Sequence, residues 1–193
     1  MGQNRRPANT IYVVSGNPDT VNVSPTDWTS LGYRQGELGQ IFEDRGRQYQ
    51  VVQLDSGVTS ATTGGVVAAN DLAFWKDRAT YRVTKDPNQA IGGLTGFYNE
   101  VAGVFRTAVT PNLTDVLGIG QVCCILQSGR NIPVKTTGTP AIGDHARANQ
   151  STPVADVDNT LGTTACPTQR LGTFTSTIVG GFCNVDLDIP GIT

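Results

Sequence analysis

Two stretches of the chain repeat one pattern of β-forming residues, and that duplication limits the fold to like units set side by side. The first stretch runs from Asn70-Asp71-Leu72-Ala73 through Val101-Ala102-Gly103-Val104-Phe105 to Gln121-Val122-Cys123-Cys124-Ile125-Leu126. The second runs from Gly143-Asp144-His145-Ala146 through Arg170-Leu171-Gly172-Thr173-Phe174 to Gly181-Phe182-Cys183-Asn184-Val185-Asp186-Leu187. Each opens on Asp-x-Ala, continues through an x-x-Gly-x-Phe strand and closes on a strand that carries Cys at a matched place. The connection from Phe105 to Cys123 is longer than that from Phe174 to Cys183, as expected where elements are kept and surface loops vary.

Composition agrees with strands. The 23 Gly and 10 Pro are scattered, so turns are frequent and elements short, and the recurring Thr and Val pack well on a pleated surface. The expected fold is all-β: two related small β modules, barrel- or tulip-like, with an extended N-terminal arm. Residues 1–45 read as the arm and an irregular segment, 46–135 as the first module and 136–193 as the second. Ile11 to Val14 reads as a short strand, and Ser24 to Phe42 gives a mixed signal in which a short helix carries Trp28, Leu31 and Leu38. Tyr49 to Leu54 alternates as a strand, with Tyr49, Val51 and Gln53 on one face and Gln50, Val52 and Leu54 on the other. Leu72–Trp75 and Thr80–Val83 form a hairpin, and Val101–Val109, Gly120–Leu126 and Asn131–Lys135 follow as strands, the last after a Gly129-Arg130-Asn131 turn.

Lys and Arg number 14 against 16 Asp and Glu, a formal charge of −2, which argues against nucleic acid or an anionic membrane as partner. No apolar run reaches the length of a membrane span, and Ile11–Val14 is too short for a signal peptide, so the expectation is a soluble protein of the compartment where it is made.

Residues with chemistry are few. His145 is the one histidine, and most triads and zinc sites lean on imidazole. Cys123, Cys124, Cys166 and Cys183 lack a paired C-x-x-C spacing; they read as core thiols, with Cys123 and Cys183 at equivalent core positions, or as partners in a disulfide. Asp156 with Asp158, and Asp186 with Asp188, lie two apart on a strand face, where such pairs can hold calcium or act as acid and base; solvated carboxylates are the commoner case. No catalytic, cofactor or metal residue is assigned. Phe74, Trp75 and Tyr81 fall in one hairpin, which makes the first copy the expected site of a specialised surface and the second plain scaffold.

The run Asp71-Leu72-Ala73-Phe74-Trp75, the strand Val101–Phe105 and the closing strand resemble the small β domain of tailed-bacteriophage capsid decoration, or cement, proteins. The second copy is similar to it in Gly143-Asp144-His145-Ala146, Leu171-Gly172-Thr173-Phe174 and Cys183 through Pro190. Asn70 stands where that family has Gly, and the aromatic pair is missing from the second copy. The resemblance implies a non-enzymatic virion protein, made in the host cytoplasm and carried on the outer surface of the capsid. Its partner there is the major capsid protein, and it acts as a homo-oligomer, a trimer being favoured by threefold sites. Arg5, Arg6, Tyr12 and Trp28 are the candidate capsid contacts. The alternatives are a head-fibre or adhesion module binding a receptor or glycan through an aromatic patch at Trp75, a hydrolase using an Asp pair, and a secreted disulfide-bonded protein.

Overall fold

Strand pairing explains each letter of the repeated pattern. The computed structural model describes residues 19, 22–23, 38–55, 67–87, 90, 100–109, 119–149, 152–157 and 170–189. The protein is all-β: β1 (Asn22–Val23), β2 (Ile41–Asp44), β3 (Arg47–Asp55), β4 (Leu72–Asp77), β5 (Arg82–Thr84), β6 (Val101–Phe105), β7 (Ile119–Lys135), β8 (His145–Ala148), β9 (Ala155–Val157), β10 (Arg170–Phe174) and β11 (Phe182–Asp188). Strands β3, β5, β4, β6 and β7 pair in that order, and β7 returns to β3, so five strands close a barrel. Closure pairs each of these five strands on both sides, which leaves none of them as an open edge of the barrel.

The second copy follows the same order. The C-terminal part of β7 pairs with β11, then β11 with β10, β10 with β8 and β8 with β9. One parallel bridge, Thr136 to Ala155, closes this ring where β3 and β5 make a parallel ladder in the first. Registers match residue for residue. Ala73 lies opposite Gly103 and Ala146 opposite Gly172; Phe105 pairs with Ile125 and Phe174 with Val185; Val52 pairs with Cys123 and Val134 with Cys183. The two cysteines therefore occupy one structural position, as the sequence implies.

The turns that open each copy are superimposable in their bonding. Asp71 Oδ2 accepts the Ala68 N–H at 3.0 Å and Asp144 Oδ2 accepts the Ala141 N–H at 2.8 Å. The residues before them, Asn70 and Gly143, have φ of 70° and 95°, a conformation that suits Asn or Gly and accounts for the exchange between them. Their N–H groups donate to the Phe105 and Phe174 carbonyls at 2.7 and 2.9 Å. Glycine in x-x-Gly-x-Phe has a separate cause. A Cβ on Gly103 would sit 2.8 Å from the Leu126 carbonyl oxygen, and one on Gly172 would overlap the equivalent carbonyl oxygen of Asp186.

The interiors of the barrel and of the second ring are filled by corresponding side chains. Val52, Leu54, Ala73, Trp75, Val83, Phe105, Cys123 and Ile125 fill the first. Their register counterparts in the second include Val134, Ala146, Ala148, Ala155, Phe174, Cys183 and Val185, so Ala148 stands where the first barrel has Trp75. The outer face of the first barrel, with Tyr49, Val51, Leu72, Phe74, Val104, Val122, Cys124 and Leu126, is also buried; it packs with Leu38 and Phe42 in a cluster continuous with the second interior.

The turn expected at Gly129-Arg130-Asn131 is instead a bulge inside one continuous strand. Val185 pairs with Ile132 and Leu187 with Gly129, so Arg130 and Asn131 together oppose Asp186. Asn131 adopts φ 52°, and its N–H donates to Asp186 Oδ1 at 2.9 Å. Gly and Asn mark a left-handed bulge as readily as a turn. At this point β7 passes between the two units: Ser128 is paired on both edges, to Gln48 of β3 and to Asp188 of β11. Tyr49 to Leu54 alternates as expected, and the β4–β5 hairpin forms, its turn at Arg78–Tyr81 held by Asp77, whose carboxylate accepts the Ala79 N–H at 2.9 Å and the Thr80 hydroxyl at 2.6 Å.

Candidate interaction surface

With both interiors packed, the chemistry of the described residues lies on the outside, and the two copies differ most there. The positions that are apolar and buried on the outer face of the first barrel, Leu72, Phe74, Val104, Val122, Cys124 and Leu126, correspond by register to His145, Arg147, Thr173, Phe182, Asn184 and Asp186. His145, Phe182 and Asp186 are exposed. His145 Nδ1 lies 2.6 Å from an Arg170 guanidinium nitrogen, and Asp186 closes the bulge. Both act in the strand framework.

One end of the second ring is apolar and open to solvent. Ile142 (69 % exposed) is in the Ala141–Asp144 turn; Ile178 and Val179 (76 %) are in the connection after β10; Phe182 begins β11. The turn and the connection adjoin through the Gly143 N–H to Phe174 carbonyl bond, and Val179 and Phe182 exchange backbone hydrogen bonds of 2.8 and 3.1 Å. At the corresponding end of the first barrel, Val67 and Val109 bridge each other and are fully buried. There the turn is seated on the second unit: Lys135 N–H donates to the Asn70 carbonyl at 3.0 Å, Leu72 N–H donates to the Pro153 carbonyl at 2.8 Å, and Lys135 Nζ contacts Asp71 at 3.2 Å.

These positions reverse the expectation for the aromatics. Phe74 is fully buried and Trp75 is 2 % exposed, so the first hairpin offers no stacking surface for a glycan at Trp75. The reason is that β4 is covered on both sides, by the barrel interior and by the outer cluster. The second copy, expected to be plain scaffold, carries the exposed apolar end. Sequence reasoning passed over Ile142, although the repeat itself flags it: a large apolar residue replaces Ala69 at a turn position.

A second cluster joins the N-terminal part to the barrel. Asp19 accepts hydrogen bonds from the Tyr49 hydroxyl at 3.0 Å, Arg106 Nε at 3.3 Å and Arg47 Nη1 at 3.3 Å. Arg106 also reaches Asn70 Oδ1 at 2.5 Å, and its side chain is only 12 % exposed. Burial pushes the Tyr49 phenol up to about 12, against the opposing pull of Arg47.

Cys123, Cys124 and Cys183 are free and buried, and Cys166 lies outside the described residues. Burial pushes the Cys123 thiol up to about 12 and raises those of Cys124 and Cys183. The candidate contacts Arg5, Arg6, Tyr12 and Trp28, and Asp158 of the first carboxylate pair, also lie outside the described residues. Asp156 is held by Asn149 Nδ2 at 3.3 Å and by the Val157 N–H at 2.8 Å. Among the described residues no group of three or more His, Cys, Asp or Glu is placed to hold a metal ion.

Compared with known proteins, the chain matches no family model, and no curated protein matches it.

Proposed function

We propose that this protein is a capsid decoration protein of a tailed bacteriophage, fixed to the outside of the head, where it clamps neighbouring major capsid subunits. The observation that carries the reading is the apolar end of the second ring, formed by Ile142, Ile178, Val179 and Phe182, on a molecule whose barrel interiors are filled by side chains. Exposed apolar groups collected at one end of a β scaffold mark a docking surface rather than a substrate pocket. A five-stranded barrel joined by one continuous strand to a second ring of strands suits a clamp, because a rigid body loses little entropy on attachment. Three copies around a local threefold axis would present three such ends to the shell.

The test is attachment to purified heads that lack the protein. The double substitution Ile142→Glu with Val179→Glu is expected to lower occupancy by about tenfold or more, since it places two charges in an apolar contact. Its thermal unfolding should stay that of the unsubstituted protein, because both side chains are exposed. Equal occupancy of variant and parent would overturn the assignment of this surface, and failure of the parent to bind heads at all would overturn the function.

A further inference from the structure

Both copies open on the same turn, and the first copy shows what that turn docks against. Asp71 N–H donates to the Ala68 carbonyl at 3.3 Å and Asp144 N–H to the Ala141 carbonyl at 3.1 Å; Phe105 N–H donates to the Asp71 carbonyl at 3.0 Å and Phe174 N–H to the Asp144 carbonyl at 2.9 Å. With the matching carboxylate bonds to Ala68 and Ala141, the two turns share one geometry. The first turn sits on the edge of β7 at Lys135, whose other edge pairs with Phe182 of β11. Lys135 meets it twice. Its N–H donates to the Asn70 carbonyl at 3.0 Å, and its Nζ donates to Asp71 Oδ1 at 3.2 Å. In this seat Asp71 is 2 % exposed, whereas Asp144 is half-buried and Ile142, in the place of Ala69, is exposed.

We propose that the Gly143–Asp144 turn receives a lysine-bearing strand edge of the major capsid protein, bound as Lys135 is bound by the first turn. The partner's backbone N–H donates to the Gly143 carbonyl and its ammonium to Asp144 Oδ1, while Ile142 covers the apolar part of the same strand. The capsid reading supplies the source of the strand, and this inference rests on it; the chemistry comes from the contact inside the chain. Two differences between the turns suit a partner that is a separate molecule. Ile142 adds apolar area that Ala69 lacks, which offsets the entropy that association costs and a contact within one chain does not. Gly143 replaces Asn70, whose side chain holds Arg106 at 2.5 Å, and a Cβ built on Gly143 would meet no described atom within 4 Å, so an incoming backbone has room. A second copy does not supply the strand. Lys135 is held by its own first turn, Lys85 is buried, and Lys76 belongs to β4, an interior strand of the barrel.

The experiment uses the full chain and purified heads that lack it. Asp144→Asn keeps an oxygen for the Ala141 N–H and removes the charge, so its affinity for heads should fall about tenfold or more with thermal unfolding unchanged. Heads whose lysines have been acetylated should bind the parent as weakly as untreated heads bind Asp144→Asn, and the variant should lose little further. A carbodiimide should couple Asp144 of the bound parent to a capsid lysine, read by mass spectrometry. Equal affinity of Asp144→Asn and the parent for untreated heads would overturn this inference; a loss of occupancy in Ile142→Glu/Val179→Glu would then leave the apolar surface standing. A parent that does not bind heads overturns both readings together. If Asp144→Asn unfolds early, the parent decides it: undiminished binding to acetylated heads, with no Asp144–lysine product, overturns the inference.

Discussion

Gly103 and Gly172 occupy one position in the two copies, yet alanine at each should have unequal effects. At Gly172 the backbone has φ 151°, and a Cβ there would overlap the Asp186 carbonyl oxygen while lying 2.9 Å from its carbon and 3.2 Å from Leu187 Cα. All three are backbone atoms, so no side chain can rotate away. Strand β10 must move from β11 by about 1 Å, at about 1 kcal/mol for each ladder hydrogen bond weakened. An L-residue held at this φ adds about 1–3 kcal/mol. Together these put Gly172→Ala at about 3–5 kcal/mol, or roughly a 10 °C fall in Tm for a chain of this size. At Gly103 the nearest atoms are the Leu126 carbonyl oxygen at 2.8 Å and Ile125 Cβ and Cδ1 at 3.1 Å; only Cδ1 can rotate away, but the backbone overlap is far smaller than at Gly172 and φ is not left-handed. Gly103→Ala should cost about 1–2 kcal/mol. Gly143→Ala is the control: φ is 95° but nothing lies within 4 Å of the added carbon, so only backbone strain remains, about 1 kcal/mol. Guanidinium unfolding followed by far-UV circular dichroism gives the three values. A Gly172→Ala variant no less stable than Gly143→Ala would refute the reasoning, because the close strand crossing would then not exist.

Two further outcomes follow from the interiors. Gln50 and Gln127, joined at 2.6 Å inside the first barrel, stand where the second has Ile132 and Leu187; Gln127 Oε1 lacks a partner. The double substitution Gln50→Ile/Gln127→Leu should therefore keep or raise stability, while Gln50→Ile alone should cost about 1–3 kcal/mol by stranding the remaining amide. Stability should also fall above about pH 9: the Cys123 thiol, ordinarily 9.0, and the Tyr49 phenol, ordinarily 10.0, are both raised to about 12 in the folded protein. The folded state then holds protons that the unfolded state releases, so their contribution is complete below the ordinary values and declines as pH rises toward about 12. Urea unfolding from pH 7 to 11 measures it, and a flat profile would contradict the burial of both groups.

Much of the fold was legible because the repeated letters each carry a local physical duty. Asp71 and Asp144 tie a turn, Gly103 and Gly172 admit a carbonyl, and Cys123 and Cys183 fill one core position. The all-β class and the alternation of β3 followed from the same kind of reading. The continuity of β7 was not legible, since Gly129 and Asn131 signal a left-handed backbone without saying whether the chain reverses or bulges. The surface was harder still. Alternation in β4 places Phe74 and Trp75 on opposite faces, but whether a face meets solvent depends on strands distant in sequence, and here both faces are covered. The Asp19 cluster joins residues 28 to 87 positions apart, beyond any local pattern.

The passage of one strand from the barrel into the second ring is the claim on which the rest stands, and cross-strand nuclear Overhauser contacts test it directly. Contacts from Ser128 to both Gln48 and Asp188, with Val52 near Cys123 and Val134 near Cys183, are the predicted result. Contacts that fold residues 131–135 back onto 120–126 across a turn at Gly129–Asn131 would contradict it.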